Sequence, residues 1–256
     1  MGSKFKLNTF PAPKVAGVLC ESIKIVSYNM HGFQSGSSTL SSFCQDGESN
    51  MDVIMVQENW LGPANLFKIN NFSKDYVGYG ISAMEEALKI SVLKGRPYGG
   101  VCTLVKSSLV HLIKYNRCLQ RMVIVALGDY LLINCYFPKI SNASDLCIVE
   151  SMMSEIFDAI NLFLDSNLVI GGDYNIDISR LSDPSNVFIK LINDFSLISS
   201  HILFPSDIGY TYCHDTLQHY SYIDYFLISS DASCELLDFK ILEIAHNLSD
   251  HNPIYI

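Results

Sequence analysis

The sequence "LVIGGDYN", Leu168 to Asn175, joins a short apolar run to a polar end. An apolar run without alternation predicts a strand that is buried on both faces. The two glycines allow another backbone to approach closely, and Asp173 and Asn175 follow at the end of the strand. A lone aspartate or asparagine after a strand is usually a turn residue, so this segment alone leaves both a turn and a functional site open.

Other apolar, β-branched runs predict further strands. They are expected at Ile23–Asn29, Asp52–Glu58, Gly99–Val105, Met122–Leu127, Tyr130–Tyr136, Leu168–Asp173, Tyr220–Ser229 and Pro253–Ile256. Gly128 and Asp129 predict a hairpin turn between two of these strands. Helices are expected at Ser144–Leu164, with a serine N-cap, and at Asp183–Leu197, with an early proline. A weaker helix signal is "STLSSFCQ".

Because strands outnumber helices and helices separate only some of them, we predict an α+β fold with sheets packed together and helices outside. The chain has 256 residues, of which 49% are hydrophobic, enough for one domain with a large core. We expect a poorly ordered lead-in over residues 1–22 and a single domain over residues 23–256.

Composition argues against several classes of protein. No segment approaches the roughly 20 apolar residues that a membrane span needs, and the N-terminus lacks the apolar stretch of a secretory signal. Eight cysteines occur singly, which is typical of reduced thiols in an intracellular protein. The net charge of −9, considered alone, argues against a nucleic-acid partner.

Polar residues recur where the predicted strands end, and such ends converge on one rim of a layered fold. These residues are Asn29, Glu58, Tyr136, Asp173, Asn175, Asp250 and His251, with Asp224 inside the strand Tyr220–Ser229. Each has an ordinary structural explanation in a turn or in packing. Asp224 resists it best, because a carboxylate within an apolar strand should be buried and then needs a partner.

Together these residue types suit metal-assisted phosphodiester hydrolysis. Glu58 is a hard oxygen ligand suited to Mg²⁺. Asp173 could accept a proton from an attacking water that Asn175 orients. His251, held and kept protonated by Asp224, could contact a phosphate oxygen. Asn29 and Tyr136 could add neutral hydrogen bonds. The hydrolase interpretation therefore rests on the whole set of residues and on no single member of it.

Six blocks in order resemble the exonuclease–endonuclease–phosphatase family, which includes deoxyribonuclease I and the abasic-site endonucleases. The blocks are "SYNMHG", "VIMVQENW", "INCYFP", "VIGGDYNID", "SYIDYFLIS" and "LSDHNPI", and they span nearly the whole chain. Within the family, Gly209–Ser229, "QENWL" and Tyr98–Leu109 most resemble the endonuclease domain of non-LTR (LINE-type) retrotransposons.

The resemblance implies two packed mixed sheets flanked by helices, as in deoxyribonuclease I. It also implies a Mg²⁺-dependent nick in double-stranded DNA, with Mn²⁺ as a substitute, that leaves a 3′-hydroxyl to prime reverse transcription. The expected context is a longer polyprotein with a downstream reverse transcriptase and element RNA, acting in the nucleus. No membrane association is expected, and the isolated domain is expected to be a monomer.

The resemblance also assigns roles by position. Metal binding falls to Glu58, Asn29 and Asp250, and catalysis to Asp173, Asn175, Asp224, His251, Tyr136 and Asn29. Substrate contacts are expected from Lys139, Ser221, His31, Arg121, His214 and His219. Arg117 and Arg121, before the strand that begins at Met122, could contact phosphate or could equally be ordinary surface residues. The loop His214–His219 is expected to form a hairpin tip that reaches into DNA, with an ordinary exposed loop as the alternative.

Two positions depart from the family pattern. His31 stands where many relatives carry Asp or Asn, which puts a second metal contact in doubt. Lys139 stands where relatives commonly carry Asn and could bind phosphate as a point charge instead. The alternatives are another hydrolase of the same fold (an abasic-site repair nuclease, an RNA deadenylase, or a phosphoinositide phosphatase or sphingomyelin hydrolase) or a non-catalytic binding protein.

Overall fold

The computed structural model describes residues 22–45, 50–90, 95–178, 185–205 and 209–256. Its strands are β1 Ile25–Asn29, β2 Val53–Gln57, β3 Tyr76–Ile81, β4 Val101–Lys106, β5 Ile113–Leu119, β6 Met122–Leu127, β7 Tyr130–Tyr136, β8 Asn167–Asp173, β9 Leu197–Ser199, β10 Tyr212–His214, β11 His219–Ser221, β12 Asp224–Ser229, β13 Lys240–Ile241 and β14 Ile254–Tyr255. Its α-helices are α1 Phe33–Phe43, α2 Phe67–Asn70, α3 Glu85–Ile90, α4 Ala143–Leu162, α5 Ser185–Asp194, α6 Ser200–Leu203 and α7 Ser230–Ser233. Short 3-10 helices lie at Pro63–Asn65, Ser107–Leu112 and Asp215–Leu217.

The strands form two six-stranded sheets and one small hairpin. The first sheet has the order β13-β14-β1-β2-β4-β3, and the second has the order β5-β6-β7-β8-β12-β9. Each contains one central parallel pair, β1 with β2 and β7 with β8, and antiparallel neighbours around it. The hairpin pairs β10 with β11. The predicted α+β fold of two packed mixed sheets flanked by helices is confirmed.

Alternation along the strands divides the core into layers. In β2, Val53 and Met55 face the second sheet, where they join Val169 and Phe226 in the central cluster. Ile54, in contrast, belongs to the outer cluster of the first sheet. Other side chains of the second sheet face helices α4 and α5 in a third cluster. Both faces of each sheet are therefore covered, which explains the nearly continuous apolar runs of the central strands.

A polar bridge crosses the central layer between the two sheets. The side-chain nitrogen of Gln57 donates to Asn134 Oδ1 at 2.7 Å, and Asn134 Nδ2 donates to the carbonyls of Val56 and Cys102 at 3.2 and 3.0 Å. Both side chains are fully buried. Buried amides must be satisfied, so this bridge fixes how β2 and β7 sit against each other just below their polar ends.

Several boundary predictions needed correction. The strand predicted at Tyr220–Ser229 is split, because β11 ends in the small hairpin and β12 begins at Asp224. The N-cap of α4 is Asn142, whose side chain accepts from the backbone of Ser144 and Asp145, so the serine is not the cap. The hairpin turn at Gly128 is confirmed.

Parts of two predictions lie outside the described residues. They are the lead-in before Ser22, and Asp183 with the following proline at the start of the second predicted helix. Among the described residues, no helix is both long and apolar enough to cross a membrane.

Gly172 has no room for a side chain next to the neighbouring strand β7. Its φ is +145°, and a Cβ built on it would lie 1.9 Å from the carbonyl oxygen of Cys135 on the parallel neighbour β7. Only glycine tolerates both the dihedral angle and this approach. Gly172 therefore lets β8 lie close to β7 where the polar ends gather, whereas Gly171 makes room for the side chains of Phe226 and Met55.

Gly172→Ala is expected to destabilise the protein by about 3 kcal/mol or more, because the new methyl group must displace backbone rather than a flexible side chain. Urea unfolding followed by circular dichroism measures the change. Gly62→Ala is the matched control, since its added methyl group meets nothing within 4 Å. Equal midpoints for the two variants would contradict the close approach.

Candidate active site

The polar strand ends meet at one edge of the two sheets. Asn29 ends β1, Tyr136 ends β7 and Asp173 ends β8, while Glu58 follows β2 directly. Because β12 runs antiparallel to β8, its first residue, Asp224, pairs in register with Asp173. The chain direction therefore brings the start of one strand and the ends of four others to the same edge, as the sequence pattern predicts.

The Asn29 side chain joins the two sheets at this edge. Its Nδ2 donates to Glu58 Oε1 at 3.2 Å and to Asp173 Oδ2 at 2.9 Å. Its Oδ1 accepts from the backbone nitrogen of His31 at 3.1 Å. Asn29 is almost fully buried. An amide placed between two carboxylates lowers their mutual repulsion and fixes their separation.

Asp173 is held mainly by Asn175. The backbone nitrogen of Asn175 donates to Asp173 Oδ1 at 2.7 Å, and its side-chain Nδ2 donates to Asp173 Oδ2 at 3.2 Å and to the carbonyl of Phe137 at 2.9 Å. Burial, aided by the nearby charge of Asp224, raises the pKa of Asp173 to about 8. A carboxylate with a raised pKa is a stronger proton acceptor than an ordinary one.

His251 and Asp224 form a buried pair across 27 residues of sequence. His251 Nδ1 lies 2.9 Å from Asp224 Oδ2, and His251 Nε2 lies 4.0 Å from Asp173 Oδ2. Burial alone would lower the pKa of His251, but the charges of Asp224 and Asp173 and the hydrogen bond to Asp224 raise it to about 10. The imidazole is therefore a cation at neutral pH, with Nε2 directed towards Asp173.

Two residues that sequence reasoning missed hold this pair in place. Thr211 Oγ1 accepts from the backbone nitrogen of Asp224 at 3.0 Å. Ser249 Oγ accepts from the backbone nitrogen of His251 at 3.1 Å and donates to the carbonyl of Asn29 at 2.7 Å. Ser249 stands in the block "LSDHNPI", but its contact with Asn29 spans 220 residues and carries no local signal.

His31 and Trp60 support the two other acidic residues. His31 Nδ1 lies 2.9 Å from Asp250 Oδ1, and this hydrogen bond raises the pKa of His31. Trp60 Nε1 donates to Glu58 Oε2 at 2.9 Å. The His31 and Trp60 rings are also in contact, with centroids 4.6 Å apart. His31 thus contacts Asp250 instead of standing apart from the site.

Backbone strain concentrates in the same place. Among the described residues, six non-glycine residues have positive φ, and four of them belong to this site: His31, Glu58, Trp60 and Asn175, at 46° to 52°. Each such residue costs about 1 kcal/mol or more. Strain of this kind is retained where it aims functional side chains.

Tyr136 and Arg121 form the side of the site next to Glu58. Burial and the neighbouring Glu58 carboxylate raise the pKa of Tyr136, so its hydroxyl stays protonated and can donate a hydrogen bond. The Arg121 guanidinium lies over the Tyr136 ring at 5.1 Å. Lys139 is exposed beyond this strand end. Arg117 instead pairs with Glu155 of α4 at 2.7 Å, away from these strand ends.

The hairpin β10–β11 carries His214 and His219 as a pair in register. Its base is anchored on the site, because the backbone nitrogen of Cys213 donates to the carbonyl of Asp250 at 2.8 Å. The hydroxyl of Ser221 lies 3.4 Å from His219 Nδ1 on the same strand. The hydroxyl that binds the backbone of Asp224 belongs to Thr211 instead. The two histidines are exposed on a projecting element beside the site.

The donor set fits a hard divalent cation. Asp173, Asp224 and His251 bring one ligand atom each within 4.8 Å of one another. A protonated, hydrogen-bonded imidazole cannot coordinate a metal, however, which leaves oxygen donors from the carboxylates. Asp250 Oδ1 is buried and lies 2.9 Å from His31 Nδ1 and 4.0 Å from His251 Nε2. The oxygen atoms on the Glu58, Asn29 and Asp250 side are therefore the better candidates.

In the metal-free protein, His251 is expected to stay protonated from pH 6 to pH 9, because its raised pKa of about 10 must be exceeded before the proton leaves. His201 is the internal control, since burial lowers its pKa and it becomes neutral first as the pH rises. A long-range ¹H–¹⁵N spectrum recorded in EDTA distinguishes the two rings. Loss of the His251 proton below pH 7 would refute the assignment.

Comparison with known proteins agrees with this geometry. The sequence model of the Endonuclease/Exonuclease/phosphatase family matches residues 26–251, from β1 to His251. No curated protein matches the chain. The matched range contains the proposed catalytic and metal-binding residues, from Asn29 to His251.

Solved structures show the same fold at low sequence identity. An AP endonuclease from Archaeoglobus fulgidus has a TM-score of 0.69 and 14% identity, with 91% of this chain and 98% of that chain covered. A 3′ phosphatase, NExo, from Neisseria bound to product DNA hairpin gives 0.66 and 16%, with 91% and 98% covered. AP endonuclease LMAP from Leishmania major gives 0.67 and 16%, with 91% and 86% covered.

Proposed function

The chain belongs to the endonuclease/exonuclease/phosphatase family, and we propose that it is a Mg²⁺-dependent endonuclease that nicks double-stranded DNA and leaves a 3′-hydroxyl. One observation carries the proposal: a buried cationic His251 faces Asp173 with Nε2 and Oδ2 4.0 Å apart. A proton acceptor and a positive charge this close together can both act on one phosphodiester that lies against them.

The residues divide the hydrolysis between them. Because the pKa of Asp173 is about 8, its ionised form, which Asn175 holds in place, becomes the major form only above that pH. In this form Asp173 accepts the proton of a water molecule whose oxygen attacks phosphorus. The bond from phosphorus to the 3′ oxygen breaks, and that oxygen takes a proton from solvent. His251, with Asp224 behind it, stabilises the charge on the phosphoryl oxygens, and the Tyr136 hydroxyl donates to the phosphate.

Glu58, Asn29 and Asp250 would hold the metal ion. When bound, Mg²⁺ supplies Lewis-acid stabilisation of the same phosphoryl charge. Their oxygen atoms match the hard ligands that Mg²⁺ prefers, and Mn²⁺ is expected to substitute.

The acidic charge is compatible with a DNA substrate. Four of the 26 acidic residues, Glu58, Asp173, Asp224 and Asp250, are in the site itself, where His251 and a metal ion offset them. Other carboxylates pair with lysine or arginine elsewhere, as Asp52 does with Lys106. DNA contacts from Lys139, Arg121 and the hairpin histidines would supply the sequence-independent attraction.

We extend the proposal to the biological context that the sequence blocks suggest. A nick that leaves a 3′-hydroxyl could prime reverse transcription of element RNA in a non-LTR retrotransposon. This role would require a reverse transcriptase domain and access to nuclear DNA. Its support is the resemblance of Gly209–Ser229 and "QENWL" to such endonuclease domains.

Product analysis tests the reaction. Supercoiled plasmid is incubated with the protein and Mg²⁺, and the open circles are offered to a DNA polymerase with labelled nucleotides. Extension without prior phosphatase treatment is expected, because the nick leaves a 3′-hydroxyl. Open circles that become extendable only after phosphatase treatment would refute the proposed end chemistry.

A substrate panel separates the proposal from other activities of the fold. Intact duplex DNA, duplex with one abasic site, poly(A) and an inositol phosphate are compared at equal protein and Mg²⁺ concentrations. We expect intact duplex to be cleaved without need of an abasic site. Cleavage confined to abasic duplex would indicate a repair nuclease, and cleavage confined to poly(A) a deadenylase.

A further inference from the structure

The protein contains a single tryptophan, Trp60, and its side chain is in the site. It follows Glu58 by two residues, and both adopt a left-handed backbone conformation, with φ 51° at each. This backbone directs the indole N–H back onto the preceding carboxylate, where Nε1 donates to Glu58 Oε2 at 2.9 Å. An exposed or packing tryptophan would not need this strained backbone.

The other oxygen of the same carboxylate is also fixed. Glu58 Oε1 accepts from Asn29 Nδ2 at 3.2 Å, so both oxygens of Glu58 accept from neutral donors. A neutral donor orients a carboxylate and leaves its negative charge intact for a cation. A lysine or arginine in the same position would cancel that charge.

The same ring connects Glu58 to the second acidic residue on this side. The indole lies 4.6 Å, centroid to centroid, from the His31 ring, whose Nδ1 lies 2.9 Å from Asp250 Oδ1. Gly32, next to His31, packs so closely on Trp60 that a Cβ there would be 2.5 Å from the ring. Trp60 and His31 thus form one packed unit with a hydrogen bond to a carboxylate at each end.

We propose that Trp60 and His31 are positioning residues that set the separation and orientation of Glu58 and Asp250 for metal binding. This inference rests on the proposed function, because it takes these two carboxylates as metal ligands. It explains the departure at position 31: the histidine is not itself a ligand but supports one. Partners of ligating carboxylates tune metal affinity by about 10- to 100-fold.

The first measurement uses the wild-type protein. A ¹H–¹⁵N spectrum contains one indole N–H peak, since Trp60 is the only tryptophan. Titration with Mg²⁺ is expected to shift this peak with saturation, because the metal withdraws charge from the oxygen that accepts the indole hydrogen bond. A peak that stays unchanged while Mg²⁺ binds would overturn the proposal, and this readout needs no variant to fold.

The second measurement is Mn²⁺ affinity, read from the free-ion signal in electron paramagnetic resonance. Trp60→Phe keeps the ring but removes the donor, and His31→Phe does the same at position 31. Each is expected to weaken Mn²⁺ binding about 10-fold. The control is Tyr130→Phe, which removes an aromatic donor from Glu235 at 3.0 Å, at the opposite end of β7, and is expected to leave Mn²⁺ affinity unchanged.

The variant Glu58→Gln distinguishes a failure of the proposed metal site from a failure of the proposed positioning role. If wild-type protein binds Mn²⁺, Glu58→Gln does not, and both phenylalanine variants bind like wild type, the metal site stands and the positioning role is wrong. If Glu58→Gln binds as well as wild type, the metal site proposed at Glu58 is wrong, and the positioning role falls with it.

Discussion

His251→Gln is expected to lower the rate of plasmid nicking by about 10³-fold, because it removes the buried cation that stabilises the phosphoryl charge. Glutamine keeps a donor for Asp224, whereas alanine would leave that carboxylate buried without a partner. Loss of one member of a buried ion pair costs about 3–5 kcal/mol. The expected loss of activity is therefore best measured on the glutamine variant, with thermal unfolding as the check on the fold.

His201→Gln is the matched control. His201 is also partly buried and packs against tyrosine rings, at 4.9 Å from Tyr222 and 5.7 Å from Tyr225. It contacts none of the proposed catalytic residues, so nicking is expected to continue near the wild-type rate. Equal rates for His251→Gln and wild type would show that the Asp224–His251 pair is only structural.

Glu58→Gln is expected to reduce Mg²⁺-dependent nicking by about 10²-fold or more, because metal stabilisation of transition-state charge contributes several kcal/mol. The variant keeps the size of the side chain and an oxygen that can accept from Trp60. Raising the Mg²⁺ concentration is expected to recover part of the rate, since the defect is in metal affinity. Nicking is followed as open-circle formation against Mg²⁺ concentration.

Glu235→Gln is the control for loss of a carboxylate. Glu235 accepts from the hydroxyl of Tyr130 at 3.0 Å, at the end of β7 away from the site. The wild-type dependence on Mg²⁺ is expected in this variant. If Glu58→Gln showed the same dependence as Glu235→Gln, Glu58 would not bind the metal.

Local pattern predicted the strands and the site residues that end them. The apolar runs around Glu58 and Asp173 are unambiguous because central strands are covered on both faces. Local pattern does not show which of these residues contact each other. That Asp224 would meet His251 was inferred from the chemistry of the residue set and is also implied by the family resemblance. The structure brings the two together because His251 forms a β-bridge with Tyr212, next to Thr211, which binds the backbone of Asp224.

What the sequence could not predict depends on contacts between distant residues. Thr211 and Ser249 look like ordinary loop residues, yet their hydroxyls hold the backbones of Asp224 and His251. Sequence alone indicates only a packing role for Trp60. Its left-handed backbone conformation, which local pattern does not predict, turns the indole towards Glu58. The same limitation explains the merged strand at Tyr220–Ser229, since the break at Ile223 is set by Thr211, which is 12 residues away.

The most direct test of a single metal-dependent hydrolytic site is the rate at which supercoiled plasmid becomes open circle, measured for wild type in Mg²⁺, for wild type in EDTA and for Asp173→Asn in Mg²⁺. Wild type in Mg²⁺ is expected to nick, and the other two samples are expected to remain supercoiled. Absence of open circle from wild type, or nicking by Asp173→Asn at the wild-type rate, would contradict the account.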